Sequence, residues 1–125
     1  MRAKVLLYRL GEETETGRAL RAVLRERSIP ALTVDESLLG ETVGRLASAN
    51  ANGGGAQPPD TVPETPFMLL CALGDRQLDR LLADMRRAGV SVPYKAVLTD
   101  TNRSWTLGAL IAEVVREHEL MTRKQ

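Results

Sequence analysis

The sequence predicts an α/β fold: a four-stranded sheet with about four helices, laid out as a duplicated βαβα unit. Three observations carry that prediction. Two short apolar runs closed by glycine, Val5 to Leu10 before Gly11 and Phe67 to Leu73 before Gly74, read as buried strands. Each is followed by a segment whose apolar residues recur at helical spacing. Sliding the chain on itself by 63 residues then places Leu6, Leu7, Leu10, Gly11, Ser28, Pro30 and Val34 on Leu69, Leu70, Leu73, Gly74, Ser91, Pro93 and Val97. Chance gives about two identities in such a window at ordinary residue frequencies.

The elements follow in order. After the first strand, Gly11 to Thr16 is polar and marks a turn. Ala19, Leu20, Val23 and Leu24 then form the stripe of a helix over about Thr14 to Arg27, which Pro30 prevents from continuing. Ala31 to Val34 is a short second strand. Asp35 opens a helix through Ala47 with a stripe of Leu38, Leu39, Val43 and Leu46. Gly40 and Gly44 in it cost about 1 kcal/mol each against alanine, which points to close packing against a neighbour. Ser48 to Pro66 is rich in Gly, Pro, Ala and Asn and reads as a flexible connection. The third strand is Phe67 to Leu73. Asp75 is expected to cap a helix that buries Leu78, Leu81, Leu82 and Met85 and ends at Gly89. Pro93 precedes a fourth strand, Tyr94 to Leu98. After a polar turn, Ser104 or Thr106 caps a last helix running to about Leu120. The expected organisation is a single domain over 1–125, made of pseudo-repeats 3–47 and 66–120 joined by segment 48–66. Each strand–helix–strand unit makes a parallel crossover. The relative direction of the two halves is open.

Composition bounds the function. Of the 125 residues 43% are apolar, enough for one core, and only 3% are aromatic. The net charge of +1, from 17 basic and 16 acidic residues, makes no electrostatic case for nucleic acid. No run reaches the roughly 18–20 apolar residues that cross a bilayer. A single cysteine, Cys71, and no leader-like segment at Met1-Arg2-Ala3-Lys4 fit a reducing cytoplasm.

From Tyr94 the chain reads YKAVLTDTNRSWTLGALIAEVVREHELM. Lys95, Ala96, Val97, Leu98, Thr99, Asn102, Trp105, Thr106, Glu113, Glu117 and His118 resemble the closing motif of a bacterial domain-of-unknown-function family numbered 3783. The stretch Leu38 to Leu46, with GETVGRL, and the strand Val5 to Tyr8 also look like that family. Tyr94 departs from it, standing where an aliphatic residue is expected, and Ser48 to Pro66 looks private to this chain. The resemblance implies strand–helix repeats and brings no activity.

Four residues are candidates for binding: Lys95, Thr99, Asn102 and Trp105. Alternation puts Lys95, Val97 and Thr99 on one face of the fourth strand. Lys95 either snorkels to the sheet rim or aims its charge at an anion in a strand-end crevice. Thr99 to Ser104 is a polar loop before a helix, able to hold an anion on free N–H groups or simply to turn and cap. Trp105 is either a lid on the core or an anchor for a ligand or partner. His118 follows Leu107, Ile111 and Val114 and is expected on the buried stripe, without an identifiable catalytic partner. One His and one Cys are too few for a zinc site, and Cys71 in a buried strand behaves as an apolar residue. Arginines Arg18, Arg21, Arg25, Arg76, Arg80, Arg86 and Arg87 form a basic surface if their two helices share a face.

The expected function is a non-enzymatic binding or interaction module, regulatory in character, contacting a protein partner through Lys95 to Trp105. The alternatives are a small anionic ligand on Lys95, Thr99 and Asn102, and a hydrolase or transferase with His118 as base. No cofactor or metal is implied. Neither nucleic acid nor membrane is expected as a partner, and an open sheet edge or helix face admits a homodimer.

Overall fold

A computed structural model describes residues 2–48 and 62–123. The chain forms β1 (Lys4–Tyr8), α1 (Glu15–Glu26), β2 (Ala31–Val34), a 3-10 turn (Glu36–Leu38), α2 (Val43–Ala47), β3 (Phe67–Cys71), α3 (Asp75–Arg87), β4 (Lys95–Val97), a second 3-10 turn (Asn102–Ser104) and α4 (Leu107–Arg123). The four strands make one mixed sheet in the order β2-β1-β3-β4. The α/β architecture expected from the sequence is therefore present. The expected loose connection over 48–66 falls mostly on residues 49–61, outside the described residues.

The sheet is built outward from its middle. β1 and β3 pair antiparallel with Val5 opposite Leu70, Leu6 opposite Leu69 and Leu7 opposite Met68. Each carries its own parallel partner, β2 on β1 and β4 on β3. The two central strands are buried on both faces, which explains their unbroken apolar sequences. Val5, Leu7, Met68 and Leu70 pack under α1 and α3, with Leu20, Leu24, Leu81 and Met85. Leu6, Tyr8, Phe67, Leu69 and Cys71 pack under α2 and α4, with Leu39, Val43, Leu46, Leu107, Leu110 and Ile111. Full burial of one such side chain is worth about 1.5–3 kcal/mol, so these two clusters supply the main driving force.

The register carries a local two-fold relation. Leu6 and Leu69 face each other across the central pair and lie 63 residues apart. Arg9 and Ala72, also 63 apart, both adopt a left-handed backbone, at φ 59 and φ 60. The same kink does the same work in each half. Simple alternation would send Leu10 and Leu73 to the α2/α4 face. The left-handed residue breaks the alternation, and both leucines join the α1/α3 core instead. This also ends β3 at Cys71, two residues before the end expected from the apolar run. The Ser-x-Pro identities do not follow the relation. Ser28 is the left-handed residue that ends α1, whereas in the second half Gly89, at φ 73, takes that place.

Other boundaries also differ from the sequence reading. Asp75 is the first residue of α3, and Gly74 is its N-cap without a side-chain bond. β4 is confined to Lys95–Val97 because only those residues pair with β3. The helix expected over Asp35–Ala47 is split. Asp35 caps the 3-10 turn by accepting from the Ser37 N–H at 2.9 Å. The chain then turns at Leu39 and Gly40, and α2 begins only at Val43. Tertiary pairing is the cause. Thr42 bridges Thr106, the Val43 N–H donates to the Trp105 carbonyl, and the Leu107 N–H donates to the Glu41 carbonyl. Gly44 has the packing reason expected of it: a Cβ there would sit 2.8 Å from the Arg103 carbonyl oxygen.

α1 and α3 share one face of the sheet, so the arginines do gather there. They are partly engaged. Arg21 donates through Nε to the Leu10 carbonyl and through Nη2 to Thr33 Oγ1. Arg27, at the end of α1, pairs with Asp84 of α3, and Arg87 donates to the same carboxylate at 2.6 Å. The hydrogen bond from Arg27 holds the Asp84 carboxyl below the usual carboxylate range. A lowered pKa means stability that is complete above the ordinary aspartate value of about 4 and is lost as pH falls below it. Asp84→Asn is thus expected to flatten the acid limb of a stability-against-pH curve below about pH 4. An acid limb as steep as that of the parent chain would refute the role of this pair.

The connection from β1 to α1 is tight. Thr14 caps α1 by accepting from the Gly17 N–H at 2.9 Å. A Cβ on Gly17 would lie 2.1 Å from the Gly11 carbonyl oxygen and 2.6 Å from that of Leu10. Backbone cannot yield there as a side-chain end can. Gly17→Ala is expected to destabilise the protein by about 2 kcal/mol in urea unfolding, although alanine is the better helix former. An unchanged midpoint would show that the turn has room to move.

Candidate functional site

Because the central pair is antiparallel, the carboxyl ends of the two parallel pairs lie at opposite rims of the sheet. Each rim has a crevice, the position where open α/β sheets commonly take ligands. One, of about 560 Å³, lies among the segments following β1 and β2 and is lined by Tyr8, Arg9, Gly11, Glu13, Thr33, Asp35, Glu36 and Ser37 among others. The other, of about 430 Å³, lies after β3 and β4 and is lined by Ala72, Leu98, Thr99, Asp100 and Arg103.

The four residues singled out in the sequence divide between these rims. Lys95 opens β4 opposite Met68, beside the rim of the first crevice. Its ammonium donates to the Val92 carbonyl at 3.2 Å, the rim-seeking arrangement anticipated for a strand-end lysine. Thr99 lies four residues on, about 13 Å away at strand rise, at the other rim. The two residues thus stand at opposite ends of β4.

Thr99 and Asn102 are brought together, with their polar groups turned on each other. The Thr99 N–H donates to Asn102 Oδ1 at 2.9 Å, and the Asn102 N–H donates to Thr99 Oγ1 at 3.1 Å. Asn102 Nδ2 donates to the Val97 carbonyl at 3.0 Å. This fixes which way the amide faces, since one neighbour needs an acceptor and the other a donor. Asn102 is only 9% exposed. It locks the β4–α4 turn from inside.

The start of α4 is equally engaged. The Leu107 N–H donates to the Glu41 carbonyl at 2.8 Å and the Gly108 N–H to the Leu39 carbonyl at 2.9 Å. The Ala109 N–H donates to Thr106 Oγ1 at 3.1 Å, so Thr106 is the cap. The first N–H groups that would attract an anion at a helix start are already bonded. The signal for this lay in the sequence unread. Thr42, Gly44 and Leu46 recur 64 residues later as Thr106, Gly108 and Leu110. Thr42 and Thr106 bridge the two halves, Gly108 bonds to Leu39, and Gly44 lies close against Arg103.

Trp105 stands between the locked turn and that bridge. Its N–H donates to the Asn102 carbonyl and its carbonyl accepts from Val43, so its backbone is held on both sides. The residue is 36% exposed. It forms no closed lid on the core.

His118 departs from expectation. It is exposed, and its ring packs edge-on against Tyr94, with centroids 4.9 Å apart at 61°. α4 outruns the sheet, so its stripe leaves the core before reaching His118 and ends at Met121, which is 69% exposed. Cys71 is buried, and burial pushes its thiol up to about 11, far from a thiolate at neutral pH. Glu41 is buried with one oxygen unbonded, the other lying 3.5 Å from Arg45. Among the described residues no group of three or more His, Cys, Asp or Glu could hold a metal ion, and no helix is long and apolar enough to cross a membrane.

Residues 66–121, from just before β3 through most of α4, match a protein family described as Domain of unknown function (DUF3783). The resemblance read from Tyr94 onward lies within this match, whereas Val5 to Tyr8 and Leu38 to Leu46 lie outside it. No curated protein and no solved structure matches the chain.

Replacing Asn102 tests the locked turn. Asn102→Ala leaves the Val97 carbonyl and the Thr99 N–H without their partners, and is expected to cost about 2–3 kcal/mol in chemical unfolding. Asn102→Asp should not rescue it, because a carboxylate cannot donate to Val97. Near-parental stability of either variant would contradict this account.

Proposed function

We propose that the chain is a non-enzymatic interaction module of the bacterial cytoplasm that contacts a protein partner around Trp105. One observation carries the reading: a tryptophan about one-third exposed, on a backbone bonded at both its N–H and its carbonyl. A rigid, exposed aromatic loses little freedom on binding, which is the character of an interface anchor. Arg103 and Asp100, paired at 3.6 Å, belong to the turn just before it and would form part of a polar rim.

The alternative, a small anion on Lys95, Thr99 and Asn102, has less support. Lys95 belongs to the other rim, and the Thr99 and Asn102 groups bond each other. Catalysis by His118 also has little support, since its ring lies against Tyr94 and lines neither crevice. The same proposal treats the two halves as copies of one unit. The shared left-handed kinks and the reciprocal bonds through Thr42 and Thr106 support it.

The test is partner retention by immobilised protein, read against folding. Trp105→Ala should weaken a retained partner at least about tenfold, since anchors typically contribute 2 kcal/mol or more. Its melting temperature should stay within a few degrees, and iodide should quench Trp105 emission in the free parent chain but not in the complex. Equal retention by the parent and by Trp105→Ala would reject the proposal.

A further inference from the structure

The crevice after β1 and β2 carries chemistry that the Trp105 surface does not use. Its volume of about 560 Å³ falls in the range of small-molecule sites, and it lies outside the carboxyl ends of two parallel strands. Arg9 reaches it because the left-handed kink frees its side chain from the sheet face. The guanidinium lies over the Tyr8 ring at 5.3 Å, and Nη2 donates to Glu36 at 3.3 Å. The Tyr8 side chain also engages this guanidinium and Glu64 lies near it, yet Tyr8 and one Glu36 oxygen do not exhaust the five donors of an arginine fork, which suits a further carboxylate.

Glu13 brings the opposite charge. Its carboxylate folds over Gly11, where a Cβ would meet Oε2 at 2.2 Å. It takes part in none of the ion pairs found among the described residues. Asp35, by contrast, is engaged by the Ser37 N–H and hydroxyl. Thr33 Oγ1 accepts from Arg21 at 2.7 Å. The crevice thus joins a guanidinium with donors to spare to a carboxylate without a cation. The two-fold-related crevice lacks this pairing. Ala72 stands where Arg9 does, and Arg103 is matched with Asp100.

We propose that the β1–β2 crevice binds a small zwitterion of the α-amino-acid type, its carboxylate on Arg9 and its ammonium on Glu13. The site is independent of the Trp105 surface and lies at the other rim. The second crevice serves as a control within the same molecule.

The experiment is an amide-resolved NMR titration of the full chain with the common L-amino acids. The same titration would use N-acetylated and carboxamide forms of the best binder, inorganic phosphate and spermidine. At least one free amino acid should shift the Arg9, Gly11, Glu13 and Ser37 amides saturably, leaving Ala72 and Thr99 in place. Blocking either end of the ligand, or making Arg9→Gln or Glu13→Gln, should weaken binding about tenfold or more. Preserved spectral dispersion would show that the variants fold. The proposal is overturned if no amino acid saturates these shifts by about 10 mM. It is equally overturned if phosphate or spermidine binds as well as the zwitterion, or if both crevices respond alike.

Discussion

Everything in this molecule hangs on the antiparallel pairing of β1 with β3. Those two strands are buried on both faces, and each supplies alternate side chains to two separate cores. A slip of one residue would carry every side chain to the wrong face, so the register is strongly held. From that register follow the placement of α1 and α3 on one side and of α2 and α4 on the other. The opposed directions of the two parallel pairs follow as well. The two strand-end crevices therefore lie at opposite rims.

The kinks at Arg9 and Ala72 show how local strain serves the core. A left-handed backbone costs a non-glycine residue about 1 kcal/mol or more. Here it turns Leu10 and Leu73 toward the α1/α3 core, where Leu10 is fully buried and Leu73 partly so, and the burial of Leu10 more than offsets its cost. The conformation recurs in both halves, so it belongs to the fold. What differs is the residue that carries it. Arginine puts a charge at one rim, and alanine adds none at the other.

The second organising contact is the bridge between Thr42 and Thr106. It satisfies the first N–H groups of α4 with carbonyls from the other half of the chain. The 3-10 turn at Asn102 is closed from inside by the asparagine itself. Together they convert what reads as an anion-binding loop into a rigid frame, and Trp105 is displayed on it. The polar groups of Thr99 and Asn102 are turned on each other, and that of Thr106 on the first turn of α4.

The sequence by itself determined the elements of the sheet and much of the core. Glycine-closed apolar runs and helix-spaced leucines are local signals, and burial on both faces demands them. It also pointed to Lys95, Thr99, Asn102 and Trp105 as unusual residues. Only the tertiary structure decided which of them meet. Strand direction depends on pairing between residues more than 60 apart, and no local pattern encodes it. The splitting of the Asp35–Ala47 segment, the engaged start of α4 and the exposure of His118 have the same origin. In each case a long-range contact, or the edge of the sheet, overrode a local propensity. The pairing of Arg9 with the crevice was equally illegible, because a left-handed arginine after a strand leaves no mark in composition or periodicity.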